Sequence, residues 1–126
     1  MKIYTDGGSR GNPGKAACSF VALKDGGMRE KSKFIGIATN NEAEYNAIIM
    51  ALEENKENDI EIISDSQLVI NQIKGEYKIN KPHLKKLYDK VIELIAGRNI
   101  KFFHLMREDS FITRADELVN QELDRN

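Results

Sequence analysis

The spacing of apolar residues changes sharply at Asn41, and that change limits the architectures open to the chain. Upstream the pattern is extended. "KIYT" at 2–5 reads as a short strand ending at Asp6, and a glycine-rich stretch follows. "AACSFVALKDGGMREKSKFIGIAT" then reads as a hairpin, two β-branched and aromatic runs around the turn residues "KDGG". From Asn41, "NEAEYNAIIMALEENKEN" sets Ala43, Ala47, Ile48, Ala51 and Leu52 on one face of an amphipathic helix. Downstream, a strand is expected over 60–64, stopping at Asp65. Helices follow over 66–75, closed by Gly75, and over 83–97, then a strand over 100–106 and a terminal helix over 113–126. The order β-β-β-α-β-α-α-β-α predicts an α/β fold, a mixed sheet flanked by helices.

A length of 126 residues suits one domain spanning 1–126, and 31% charged residues beside 40% hydrophobic ones is a globular balance. The net charge of -1 does not advertise nucleic acid, although a local lysine cluster can bind it. Cys18 alone provides neither a disulfide nor a zinc set, which favours a reducing compartment. With no apolar signal segment at the start and no membrane-length run, the expectation is a cytoplasmic monomer.

Candidate chemistry rests on four acids. Asp6 and Asp65 each end an apolar strand at its carboxyl end, where open α/β sheets place their sites. Aspartate also simply opens turns. Glu44 precedes Ala47, Ile48 and Ala51 by three, four and seven residues, so it shares their helix face and needs a lysine, a metal or the solvated helix start. "TRAD" reads as a capping box with Thr113 at the N-cap and Asp116 three residues on, which does not forbid Asp116 from also facing a metal. Four carboxylates at one place require cations, and oxygen donors without a His or Cys cluster select magnesium or manganese. Two such ions are the standard device for in-line displacement at phosphorus. The glycine stretch is no P-loop: Ser9 stands where its first glycine belongs and Ala16 follows Lys15. Leading into a strand, it is no Rossmann turn either.

Taken together, "TDGGSRGNPGKAA", "TNNEAEYNAI", "SDSQLVINQIKGEYK" and "RADELVNQELD" resemble type 1 ribonuclease H over nearly the whole chain. The resemblance implies the ribonuclease H-like fold with a five-stranded mixed sheet. It also implies hydrolysis of the RNA strand of RNA–DNA hybrids by two magnesium ions, manganese being an alternative, leaving 5′-phosphate and 3′-hydroxyl ends. Asp6 would bridge both metals, Asp116 would share the one holding the attacking water, and Glu44 and Asp65 would complete the other. Asn12, Asn41 and Gln67 match minor-groove positions, where the 2′-hydroxyl distinguishes RNA. Thr39 and Asn40 match positions that hold a DNA phosphate, and Asn40 or Asn41 also reads as a helix N-cap. Gly7 and Ser66 join them as substrate contacts, the glycines letting the main chain approach the RNA strand.

Two departures stand out. The histidine or glutamate that many relatives carry before the last aspartate is replaced by "REDSFIT", with Arg107, Glu108 and Asp109 as substitutes and His104 too early, inside a strand. The basic region "KGEYKINKPHLKK" is short and lacks tryptophan, yet holds five lysines against Glu76; Lys78 and Lys81 are its expected contacts with the DNA strand. A binding module without catalysis is the alternative, disfavoured by the presence of all four acids.

Overall fold

A computed structural model describes residues 1–106 and 109–126. β1 (Lys2–Gly11), β2 (Gly14–Lys24) and β3 (Gly27–Ala38) form an antiparallel meander. β4 (Asp59–Ser64) pairs parallel with β1, and β5 (Asn99–His104) pairs parallel with β4, completing the order β3-β2-β1-β4-β5. The helices are α1 (Asn40–Glu54), α2 (Gln67–Ile73), α3 (Pro82–Ile95) and α4 (Ser110–Arg125). Type and order of these elements agree with the sequence reading. Asp25 and Gly26, with φ of 51° and 79°, make the turn between β2 and β3 that "KDGG" announces. None of the described helices is long and apolar enough to cross a membrane.

The sheet separates two bodies of core. On one face α1 packs over Ile3, Phe20 and Ile62, and α3 covers it with Leu84 and Val91. On the other, Ile112 and Ala115 of α4 meet Tyr4, Val21 and Ile63, and Val119 and Leu123 meet Ala17. α1 departs from a one-sided stripe: every residue from Ala47 to Leu52 is buried. A helix held between a sheet and a second helix is apolar all round. Arg98 fastens the far end of this layer, its guanidinium donating to the carbonyls of Leu52, Asn55, Glu57 and Leu94.

Three boundaries move. β1 runs through Asp6 to Gly11, so the glycine stretch is paired strand, Gly7 opposite Cys18 and Gly8 opposite Ala17, and the turn shrinks to Asn12 and Pro13. α1 is capped by Thr39, not by Asn40 or Asn41. Its hydroxyl accepts from Glu42 N at 3.2 Å while the Glu42 carboxylate accepts from Thr39 N at 2.9 Å. α4 begins before Thr113: Asp109 is its cap, accepting from the amides of Phe111 at 2.9 Å and Ile112 at 3.3 Å. The stacking of Phe111 on Tyr4, centroids 5.1 Å apart, and the burial of Ile112 draw the helix start back. Asp116 therefore lies inside the helix, and the Thr113–Asp116 box does not form.

Cys18 is buried in β2, and loss of hydration pushes its thiol up to about 12. At pH 8 the folded protein should resist alkylation by iodoacetamide, and modification should track the unfolding curve in urea. Labelling as fast as that of a free thiol, below the transition, would contradict this burial.

Candidate active site

Parallel pairing brings the first two acids together. Thr5 of β1 is level with Ser64 of β4, so Asp6, midway along β1, and Asp65, just past the end of β4, each stand one residue beyond the last pair of the parallel ladder. Asp6 is buried, 1% exposed; Asp65 is half-buried, between β4 and α2. Glu44 arrives from α1, where one of its oxygens accepts from Gly7 N at 2.6 Å. The partner that its helix face calls for is thus partly the main chain of β1. Asp6, Glu44 and Asp65 each present an oxygen within 4.8 Å of the others. Three carboxylates at that spacing repel one another, and a hard divalent cation is the group that their oxygens suit.

The close approach of α1 depends on Gly7. A Cβ there would stand 2.5 Å from the Glu44 backbone nitrogen and nearer still to the Ala43 carbonyl. At this position the missing side chain makes room for α1. Gly8, one residue on, faces the opposite side, where a Cβ would make ordinary contact with Val119 of α4 at 3.6 Å.

Between the two helices opens a cleft of about 290 Å³, lined by Gly7, Gly8, Glu44, Ser66 and Asp116 among others. Asp116 continues the stripe of Ile112, Val119 and Leu123 on α4, which carries it to the same cleft as Glu44. Among the described residues it stands outside the group of three, and Asn120 Nδ2 donates to it at 3.4 Å.

The expected substrate residues fall into two sets. Asn40, Asn41 and Ser66 line the cleft. Asn40 Oδ1 accepts from Ser9 N at 2.8 Å and Ser9 Oγ at 3.1 Å, and Asn40 N donates to Asn12 Oδ1 at 3.0 Å, so both asparagines lace α1 to the β1–β2 hairpin. Ser66 caps α2, and Gln67, its first residue, is exposed. Lys78 and Lys81 are exposed on the connection between α2 and α3, away from the cleft lining. Arg107 and Glu108 lie outside the described residues; Asp109 is committed to capping α4, and His104 ends β5. Sequence reasoning passed over Ser9, Arg10 and Asn120, which also line the cleft. Arg10 pairs with Asp124 at 2.6 Å, and the spacing of Asn120 four residues after Asp116 is the signal that could have found it.

A mixed sheet with helices on both faces and acids gathered where its parallel pairing ends defines the class of α/β domain, and comparison with known proteins gives the family. The RNase H family model matches residues 1–124, and the chain belongs to that family. Ribonuclease HI of Halobacterium salinarum is 43% identical over 98% of this chain and 64% of its own length. A bifunctional protein of Mycobacterium tuberculosis is 36% identical over 97% of this chain, which spans 35% of that protein. Among solved structures, the H. salinarum RNase H1 superposes with a TM-score of 0.90 at 42% identity, covering 99% of this chain and 98% of that one. LC11-RNase H1, crystallised with an RNA/DNA hybrid, gives 0.89 at 40% identity, covering 98% and 96%.

Gly7→Ala should destabilise the fold by at least about 2 kcal/mol, since main chain and not a movable side chain meets the new methyl. Gly8→Ala should change stability by less than about 1 kcal/mol. Urea unfolding of the two variants tests the contrast, and equal effects would refute it.

Proposed function

We propose that the chain is an endonuclease that hydrolyses the RNA strand of RNA–DNA hybrids, leaving 5′-phosphate and 3′-hydroxyl ends. The observation that carries this reading is the meeting of Asp6, Glu44 and Asp65 within 4.8 Å where the parallel pairing of β1 and β4 ends, with Asp116 on the adjoining cleft wall. Family membership and the hybrid held by LC11-RNase H1 support the substrate. Asp6, Glu44, Asp65 and Asp116 would hold two magnesium ions, for which manganese can stand in. When bound, the ions supply the positive charge that offsets these carboxylates and the charge developing at phosphorus.

The remaining work falls to the protein. β1 and β4 fix Asp6 and Asp65 on paired strands, so both carboxylates are oriented before substrate arrives. The Gly7 amide holds Glu44 by one oxygen. Asn41 and Gln67 contact the minor groove of the hybrid, where the 2′-hydroxyl is read. Thr39 and Asn40 at the start of α1 hold a DNA phosphate, as backbone and polar groups at helix starts commonly do. Gly7, Asn12 and Ser66 complete the wall beside the RNA strand. Lys78 and Lys81 lie along the DNA strand and neutralise its phosphates.

Asp6→Asn should abolish cleavage of a labelled hybrid in magnesium while keeping the fold. By relieving carboxylate repulsion, it should also raise the melting temperature in chelator. Asp116→Asn should lower turnover severely with stability nearly unchanged. Matched RNA–RNA and DNA–DNA duplexes, with magnesium, manganese or chelator, complete the assay. Substantial turnover by Asp6→Asn, or cleavage undiminished by chelator, would overturn the reading.

A second expectation concerns the lysines. Lys78→Ala with Lys81→Ala should weaken hybrid binding measured in calcium and reduce the log–log salt slope by about two units. Turnover at saturating hybrid should barely change. Unaltered affinity and slope would return the segment to ordinary surface.

A further inference from the structure

The connection between α2 and α3 carries its lysines on few supports. Glu76 N and Tyr77 N donate to the Asn71 carbonyl at 2.9 and 3.2 Å, and Ile79 packs against the main core. Another support comes from inside the protein. Gln72, on α2, is 5% exposed, and its Nε2 donates to the Lys78 carbonyl at 3.4 Å. The other end of the same amide accepts from the Tyr45 hydroxyl at 2.7 Å. Tyr45 is fully buried on α1, and loss of hydration pushes its hydroxyl well above the ordinary range, so it remains a donor at any working pH. The Lys78 carbonyl can only accept, which fixes the amide's orientation: nitrogen toward Lys78, oxygen toward the Tyr45 hydroxyl.

A buried amide is expensive unless both ends are used. A leucine in place of Gln72 would fill the same interior without that demand. What the glutamine adds is a fixed point for the Lys78 backbone, between Glu76–Tyr77 and Lys81. Lys78 and Lys81 are themselves exposed, on a strip of chain with no regular secondary structure from Lys78 to Lys81. Lysine side chains on a loosely held strip lose more freedom on meeting phosphates than those on a fixed one.

We propose that Gln72 is a positioning residue for the hybrid, its buried amide anchoring the Lys78 carbonyl and so setting the 74–81 segment against the DNA strand. This rests on the reading of Lys78 and Lys81 as phosphate contacts.

The test uses two variants whose effects on stability and on binding run in opposite orders. Tyr45→Phe leaves the amide oxygen buried without its donor but keeps the nitrogen on Lys78. It should lower the unfolding midpoint while hybrid affinity in calcium stays within about twofold of the parent. Tyr45→Phe with Gln72→Met replaces both polar partners by apolar groups of similar shape, which is close to neutral for stability. It should recover the midpoint yet raise the hybrid Kd by about threefold to tenfold, the range one lost anchoring bond gives. Turnover at saturating hybrid should be unchanged. A role confined to the core predicts the reverse, affinity following stability in both variants, and would overturn the proposal. If the double variant does not fold, Gln72→Asn, whose shorter side chain withdraws the donor from Lys78, should show the same loss of affinity. Lys78→Ala with Lys81→Ala runs alongside. Should it bind like the parent, the phosphate reading has failed; should it bind weakly while the Gln72 variants bind normally, only the anchoring has failed.

Discussion

The site is built on the close crossing of α1 over β1 at Gly7. No side chain fits there, because the Ala43 carbonyl and the Glu44 nitrogen already occupy the space a Cβ would need. That contact sets the height of α1 above the sheet and brings the Glu44 carboxylate onto the Gly7 amide at 2.6 Å. Because side chains alternate along a strand, Gly8 faces the opposite way, toward Val119. Gly7 therefore admits α1 on one face of the strand, while at Gly8 a side chain would make only ordinary contact with α4 on the other. The acids converge where the main chain is most constrained, at strand ends and helix walls, and no long loop is asked to hold them.

Much of this was legible in the sequence. The spacing change at Asn41, the turn at Asp25–Gly26 and the helix stops at Gly75 and Gly97 are local signals, and the elements they predict are present in the expected order. The acids at strand ends were legible for the same reason, since Asp6 and Asp65 each end an apolar run. What failed was local chemistry overruled by tertiary contact. "GGSRG" reads as loop by composition, yet β2 pairs with it along its whole length. "TRAD" has the form of a capping box, but Asp109 caps the helix earlier because Phe111 and Ile112 find partners on Tyr4 and Ile63. The burial of α1 on every side was illegible for another reason. Glutamates and asparagines at its two ends mask a fully apolar middle, which only the position of α3 explains.

The charge pattern is resolved by location in the same way. A net charge of -1 says little about a polyanion, because part of the cationic charge is held in ion pairs on the surface. Lys24 pairs with Glu57, Lys31 with Glu54, Lys85 with Asp89 and Arg114 with Glu30. Among the described residues, no ion pair involves Lys74, Lys78 or Lys81. All three are exposed, while Glu44 and Asp116 line the cleft. The acids and the lysine segment lie on different surfaces, since the cleft lining includes neither Lys78 nor Lys81.

Neighbouring residues of α1 connect the two surfaces. Glu44 turns toward Gly7 and the acids; Tyr45, the next residue, turns toward Gln72 and the underside of the lysine segment. Successive helix residues point about 100° apart, so one turn of helix can face both directions without a bend. The height of α1, fixed by Gly7, then also fixes the depth at which the Tyr45 hydroxyl meets the Gln72 amide. A residue larger than glycine at position 7 would lift Glu44 from its amide and Tyr45 from its acceptor by the same displacement. The spacing between the acids and the lysine segment is in this sense a property of one helix and the glycine beneath it.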